Sequence, residues 1–188
     1  MTKNLLELPP NLPIPQDDGA CKHLEGRLLP SIKLLSTSGQ QVDLSKLSGT
    51  TVVYIFPMIG RPDGPPMTGW NEIPGARGCT PQSCAFRDNH DDFLNLGAKI
   101  YGLSAQTHDA QQEAVGRLHL PFELLCDDSL SFANALMLPT FEYHGLMLIK
   151  RLTLIVKDGK ICEVFYPVFP PNENAAQVLE WLSSHSLI

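Results

Sequence analysis

Two cysteines five positions apart, Cys79 and Cys84 in GARGCTPQSCAFRD, carry the strongest chemical signal in the sequence. Cys79 closes a run rich in glycine and proline, at the point where a helix following a strand would begin. Backbone N–H groups and the positive end of a helix dipole favour an anion there. Neighbouring Arg77 adds a positive charge. Both favour the thiolate, the nucleophilic form of cysteine. A lone cysteine is commonly a buried space-filler, so it is Cys84 that gives the position meaning. The spacing Cys-x-x-x-x-Cys is not the Cys-x-x-Cys of dithiol oxidoreductases or zinc ribbons. On an ideal helix, residues five apart lie about 8 Å apart at Cα, on faces ~140° apart. A disulfide needs Cα atoms within ~7 Å. The two thiols can share a helix but can bond only if its first turn unwinds, which points to a redox switch rather than a permanent bridge. Pro81 between them suits a first helical turn.

Other chemistry is poorly supported. The six histidines (His23, His90, His108, His119, His144 and His185) contain no pair at a ligand spacing of ~3 to 5 residues. No metal site is expected. GRPDG lacks the Lys-Ser/Thr ending of a phosphate loop. Cys21, Cys126 and Cys162 show no partner spacing, and the last two read as packing residues. Arg87 and Asp88 fit a helix-surface ion pair, and Arg151 taken alone fits a strand arginine facing solvent.

The composition sets outer limits. The 188 residues include 43% hydrophobic and 18% charged residues, an ordinary globular balance for one domain with an appendage. A chain of this length folds without disulfide staples. A net charge of −6 argues against a phosphate-binding surface and a nucleic-acid partner. No stretch approaches the ~18 to 20 apolar residues of a membrane span. The first residues lack the apolar run of a signal peptide and the Arg- and Ser-rich character of a transit peptide. The expected location is cytoplasmic, where five cysteines are catalytic, metal-binding or buried rather than cross-linked.

The elements that must position the cysteines follow in order. Residues 1–20, with Pro9, Pro10, Pro13 and Pro15, read as an extended arm, and residues 21–188 as one domain. Apolar residues from Leu28 to Leu35, a turn at Ser36–Gly39, and Val42 with Leu44 suggest a short strand pair. TVVYIF (51–56) is the best buried strand. Residues 57–78 form a long loop, of a length that is usually functional. Helix is expected over Cys84–Leu96, Asp109–Leu118, Leu130–Leu136 and Asn174–Ser183, and strand over Lys99–Ser104 and Phe122–Leu125. Leu152–Val156 and Lys160–Phe165 form a hairpin around Asp158–Gly159. This order predicts an α/β domain with a central mixed sheet flanked by helices, ending in an antiparallel hairpin and a helix. The arrangement resembles the thioredoxin-like fold.

From about Leu28 to Leu182 the chain resembles a peroxiredoxin of the peroxiredoxin Q, or bacterioferritin-comigratory, type. GCTPQSCAFRD matches the family's cysteine pair and following Arg-Asp. VVYIFP resembles the strand leading into its active-site loop, and KRLTLIVKDGKI its late arginine-bearing strand and hairpin. The resemblance implies a thiol-dependent peroxidase acting on hydrogen peroxide and organic hydroperoxides. Cys79 would be the peroxidatic nucleophile, Cys84 the resolving cysteine that closes an intramolecular disulfide, and Arg151 the stabiliser of thiolate and transition state. Arg77, Thr80 and Arg87 are supporting candidates, and Pro57 or Pro74 would shield the site. It implies no cofactor, a thioredoxin or similar dithiol as reductant, and a monomer or homodimer.

The chain departs from the family in two places. Ala76 stands where the family has a threonine, so that hydroxyl has no direct counterpart; Thr80 and Thr68 are the nearest in sequence. Roughly fifteen residues are inserted between Pro57 and Cys79, making a loop of unusual length. Trp70 within it would gate access or shape a pocket, or the insertion is surface ornament. Two competing readings remain: a thioredoxin-fold disulfide oxidoreductase or copper chaperone, with His144 as the distant ligand, and a redox sensor that keeps the switch without turnover.

Overall fold

The computed structural model describes residues 5–185. Residues 1–4 of the expected arm and 186–188 of the domain lie outside the described residues. Residues 5–20 contain no helix or strand. Two short strands follow, β1 (Lys33–Ser36) and β2 (Gln41–Asp43), paired antiparallel. The strand expected from Leu28 starts later: Pro30 lacks an N–H for a ladder, and Leu28 makes only an isolated bridge to Lys160. Next come β3 (Thr50–Ile55), the 57–78 loop with a single 3-10 turn at Trp70–Glu72, and the helices α1 (Cys79–Asp88) and α2 (His90–Asn95). The middle of the chain supplies β4 (Ala98–Ser104), α3 (His108–Leu118), β5 (Glu123–Cys126) and α4 (Ser131–Leu136). Two hairpins, β6 (Thr140–Tyr143) with β7 (Leu146–Ile149) and β8 (Leu152–Lys157) with β9 (Lys160–Phe165), precede α5 (Asn174–Ser184).

Seven strands form one sheet in the order β2-β1-β5-β4-β3-β8-β9. β3, β4 and β5 run parallel, and β8 pairs antiparallel with β3, so the sheet is mixed, as expected. β3 is central and wholly buried because both its faces are covered. Val52 and Tyr54 point into a core shared with Phe86, Phe93, Ala114 and Val178 from the helices. Val53 and Ile55 point into the opposite core, with Phe132 and Leu136 of α4. That double burial is why the run reads as continuously apolar.

Two differences from the sequence reading concern the site. The helix expected from Cys84 begins five residues earlier, at Cys79, and breaks at Asn89 rather than running to Leu96. Asn89 leaves the helical region (φ −104°, ψ 12°), and its side chain donates to the Ala85 carbonyl at 2.8 Å, the local competition that ends helices at Asn. The β6–β7 hairpin was not expected. Its two-residue turn, His144–Gly145, needs positive φ at both positions and has it (48° and 81°).

Candidate active site

Cys79 opens α1, directly after the Gly78 cap. Gly78 sits at φ 110°, and a Cβ there would come within 2.3 Å of Pro171 and 2.9 Å of Leu8. Only glycine fits, so the chain enters the helix under the arm and beside the start of α5. Pro81 falls in the first turn, where a missing N–H costs no helical bond. Cys79 is 3% exposed.

Arg151, in the short link between β7 and β8, reaches back to this turn. Its Nη2 donates to Cys79 Sγ at 3.1 Å and to the Ala76 carbonyl at 2.9 Å, and its Nε donates to the Gly75 carbonyl at 3.1 Å. Nη1 donates to Gln82 Oε1. The guanidinium therefore clamps the end of the inserted loop, the first turn of α1 and the thiol together. Arg151 is 3% exposed, and none of the ion pairs among the described residues includes it. A buried cation surrounded by neutral acceptors is placed to stabilise negative charge that develops beside it, and the Cys79 sulfur lies within its reach.

The sequence reading missed what holds Arg151. Gln82 Nε2 donates to Asn174 Oδ1 at 3.0 Å, and Thr153 Oγ1 donates to the same oxygen at 2.7 Å. All three side chains are fully buried. The chain joins α1, α5 and β8 through residues 92 and 69 positions apart, so the only local signal was a polar Gln within the cysteine motif.

Cys84 lies on the same helix, buried against the core. Burial pushes its thiol above the ordinary range, opposed by nearby Arg87. All five cysteines are free thiols.

The other candidates sort by position. Thr80 borders a narrow crevice with Cys79 and Trp70. Pro57 is buried and borders a larger cavity with Arg151. The Arg77 side chain reaches the arm, with Nη2 donating to the Glu7 carbonyl at 3.2 Å, and burial lowers its pKa. Arg87 does not meet Arg151: it pairs with Asp88 at 2.8 Å and donates to the Leu118 carbonyl at the end of α3. Ala76 packs with Trp70 and Leu148, an apolar contact where the family pattern has a hydroxyl. Pro74 lines the same cavity as Pro57.

The inserted loop is tied down at both ends. Gln106 brackets Ile59 with two hydrogen bonds, at 2.8 and 3.1 Å, and Arg151 holds Gly75 and Ala76. Its middle is fixed to the unexpected hairpin. Trp70 packs edge-on against Tyr143 at 4.8 Å, while the Tyr143 hydroxyl and His144 Nε2 both meet the Thr68 carbonyl. Among the described residues, no cluster of three His, Cys, Asp or Glu side chains is placed to hold a metal, and no helix is long and apolar enough to cross a membrane.

Residues 24–179 match the family model Redoxin. The chain is 27% identical over 176 residues to peroxiredoxin Q, chloroplastic, of Sedum lineare, covering 93% of this chain and 86% of that protein. It is 29% identical over 169 residues to peroxiredoxin Bcp of Bacillus subtilis (strain 168), covering 86% and 96%. The crystal structure of peroxidoxin BcpB from Mycobacterium tuberculosis superposes with a TM-score of 0.69 at 23% identity, over 86% of this chain and 98% of that one.

Proposed function

The chain belongs to the redoxin family, with the likeness of a peroxiredoxin of the Q and Bcp type along most of its length, and we propose that it runs a two-cysteine peroxidase cycle through Cys79, Cys84 and Arg151. The observation that carries this reading is the buried Arg151 guanidinium donating to the Cys79 sulfur at 3.1 Å. Cys79 thiolate attacks the distal oxygen of a hydroperoxide. The S–O bond forms as the O–O bond breaks, sulfur becomes sulfenic acid, and the departing oxygen leaves as alcohol or water after taking a proton. Arg151 stabilises the thiolate and the charge developing on that leaving oxygen. Cys84 then displaces hydroxide from the sulfenic acid as water, closing a disulfide.

This second step needs movement. Separated by about 8 Å on an ideal helix, the two Cα atoms come within disulfide reach only when the first turn of α1 opens. Opening it breaks the Gln82 N–H bond to Gly78 and the Gln82 links to Arg151 and Asn174. A dithiol protein of the thioredoxin class reduces the disulfide by exchange. The cytoplasm, which keeps thiols reduced, suits the five cysteines. An intramolecular disulfide lets the cycle run in a monomer or a homodimer.

Cys84→Ser tests the assignment. The variant is expected to consume one equivalent of hydrogen peroxide at the wild-type rate, then stall as a sulfenic acid with thioredoxin present. Steady-state NADPH oxidation, coupled through thioredoxin reductase, reads this; normal cycling would remove Cys84 from the resolving role. In the wild type the resolving step carries a pH dependence. Because burial raises the folded Cys84 pKa, its contribution to the folded turn is full below the unfolded thiol value of about 8.5 and is lost as pH rises through the folded value. Disulfide formation, followed by tryptophan fluorescence, should therefore accelerate as pH rises above that value.

A further inference from the structure

The sulfur that must meet the peroxide is nearly sealed. Cys79 is buried, and the crevice it borders measures about 10 Å³, room for a single water at most. The larger cavity at Arg151 does not have Cys79 in its wall. Among the described residues, the crevice is therefore the approach that the structure offers to the nucleophile.

Its walls differ in how firmly they are held. Met58 and Gly60 belong to the start of the inserted loop. Gln106 brackets Ile59 between them, and Arg117 of α3, paired with Glu113, donates from Nη2 to the Gly60 carbonyl at 3.1 Å. Trp70 is set edge-on against Tyr143 and packs with Met58 and Met67 in a small apolar cluster. The roof is Leu5 of the arm, itself buried. Leu5 and Met67 meet over Gly60: a Cβ added there would stand 3.9 Å from Leu5 Cδ2 and 3.0 Å from Met67 Sδ. The arm has no helix or strand. Near the crevice it is held by Arg77 donating to the Glu7 carbonyl and by Leu8 packed on Gly78. Its root is pinned further along the chain, where Asp18 accepts from Lys150 and from Tyr166, each at 2.9 Å. A lightly held strap thus lies across walls that are locked.

We propose that Leu5 of the arm and Met67 of the inserted loop set the size of peroxide that reaches Cys79. With the arm down the crevice passes hydrogen peroxide, and an alkyl hydroperoxide reaches the sulfur only in the fraction of molecules whose arm has lifted. The inference rests on the peroxidase reading above. Hydrogen peroxide exceeds water by one oxygen, which the flexible Met67 thioether accommodates by a small shift. A tert-butyl group brings a bulky carbon body to the same approach, and the locked walls do not yield to it. A substrate that needs a minor conformation is handled less well in proportion to that conformation's population. The arm and the inserted loop thereby act together, as two sides of one filter.

The test compares the second-order rate constants of Cys79 with hydrogen peroxide and with tert-butyl hydroperoxide by stopped-flow mixing, each divided by that of a small free thiol with the same peroxide. Wild type should favour hydrogen peroxide. Leu5→Ala, which opens the roof, should raise the ratio of tert-butyl hydroperoxide to hydrogen peroxide about tenfold or more, the range expected for a change of a few carbons in a tight apolar site. Met67→Ala should raise it in the same direction. Leu8→Ala tests the movement, because Leu8 holds the arm at Gly78 without bordering the crevice; it raises the ratio if the arm lifts. An unchanged ratio in Leu5→Ala or Met67→Ala, or a wild type that favours tert-butyl hydroperoxide, overturns the filter and leaves the peroxidase intact. An unchanged ratio in Leu8→Ala overturns the lifting arm. A wild type that outpaces the free thiol with neither peroxide overturns the peroxidase reading, and the inference with it.

Discussion

Cys79→Ser is expected to reduce peroxide consumption to the rate of ordinary thiols. A serine hydroxyl does not ionise near neutral pH, so Arg151 would face a group unable to supply the attacking electron pair. The remaining thiols do not replace it. Burial raises Cys84 and Cys126, and Cys21 is pushed up to about 12 by burial and by nearby Asp18 and Asp17. Cys162 is half-buried on β9, its thiol meeting the Lys160 carbonyl. Stopped-flow mixing with hydrogen peroxide reads the loss. Activity that survives in this variant would place the nucleophile elsewhere.

Arg151→Met should lower the second-order rate constant by about 10²–10³, the usual effect of removing one donor aimed at developing charge. The loss has a structural share as well. Without the guanidinium, the carbonyls of Gly75 and Ala76 and the Gln82 oxygen lose their donor, and an unsatisfied buried acceptor costs about 1–3 kcal/mol. Arg151→Lys separates the two contributions: it keeps the charge but cannot reproduce a planar fork serving five acceptors. Its rate should fall between wild type and Met. If Met matched wild type, the arginine would be a structural clamp only.

The parts legible in the sequence were those governed by local pattern. The buried run at 51–56, the Asp158–Gly159 hairpin and the cysteine spacing each carry their signal within a few residues, and each stands where expected. What was not legible depends on distance or on weak local chemistry. The β6–β7 hairpin is half exposed and turns on His144–Gly145, a weaker signal than Asn-Gly, so its alternation was hidden. The packing of Gly78 against Pro171 and Leu8, which requires a glycine at the entry to α1, joins segments far apart in sequence. The Gln82–Asn174–Thr153 chain that positions Arg151 joins three elements and has no local pattern. Ala76, legible as a missing hydroxyl, proves to be a packing contact between the inserted loop and the hairpin.

The central claim is a cycle running through two named thiols on one helix. Rapid-quench peptide mapping of the reduced protein after one equivalent of hydrogen peroxide tests it most directly. The account predicts fast appearance of a Cys79–Cys84 disulfide, with Cys21, Cys126 and Cys162 still reduced. A disulfide that includes any of those three, or survival of both Cys79 and Cys84 while free thiols in solution react at the same rate, would contradict it.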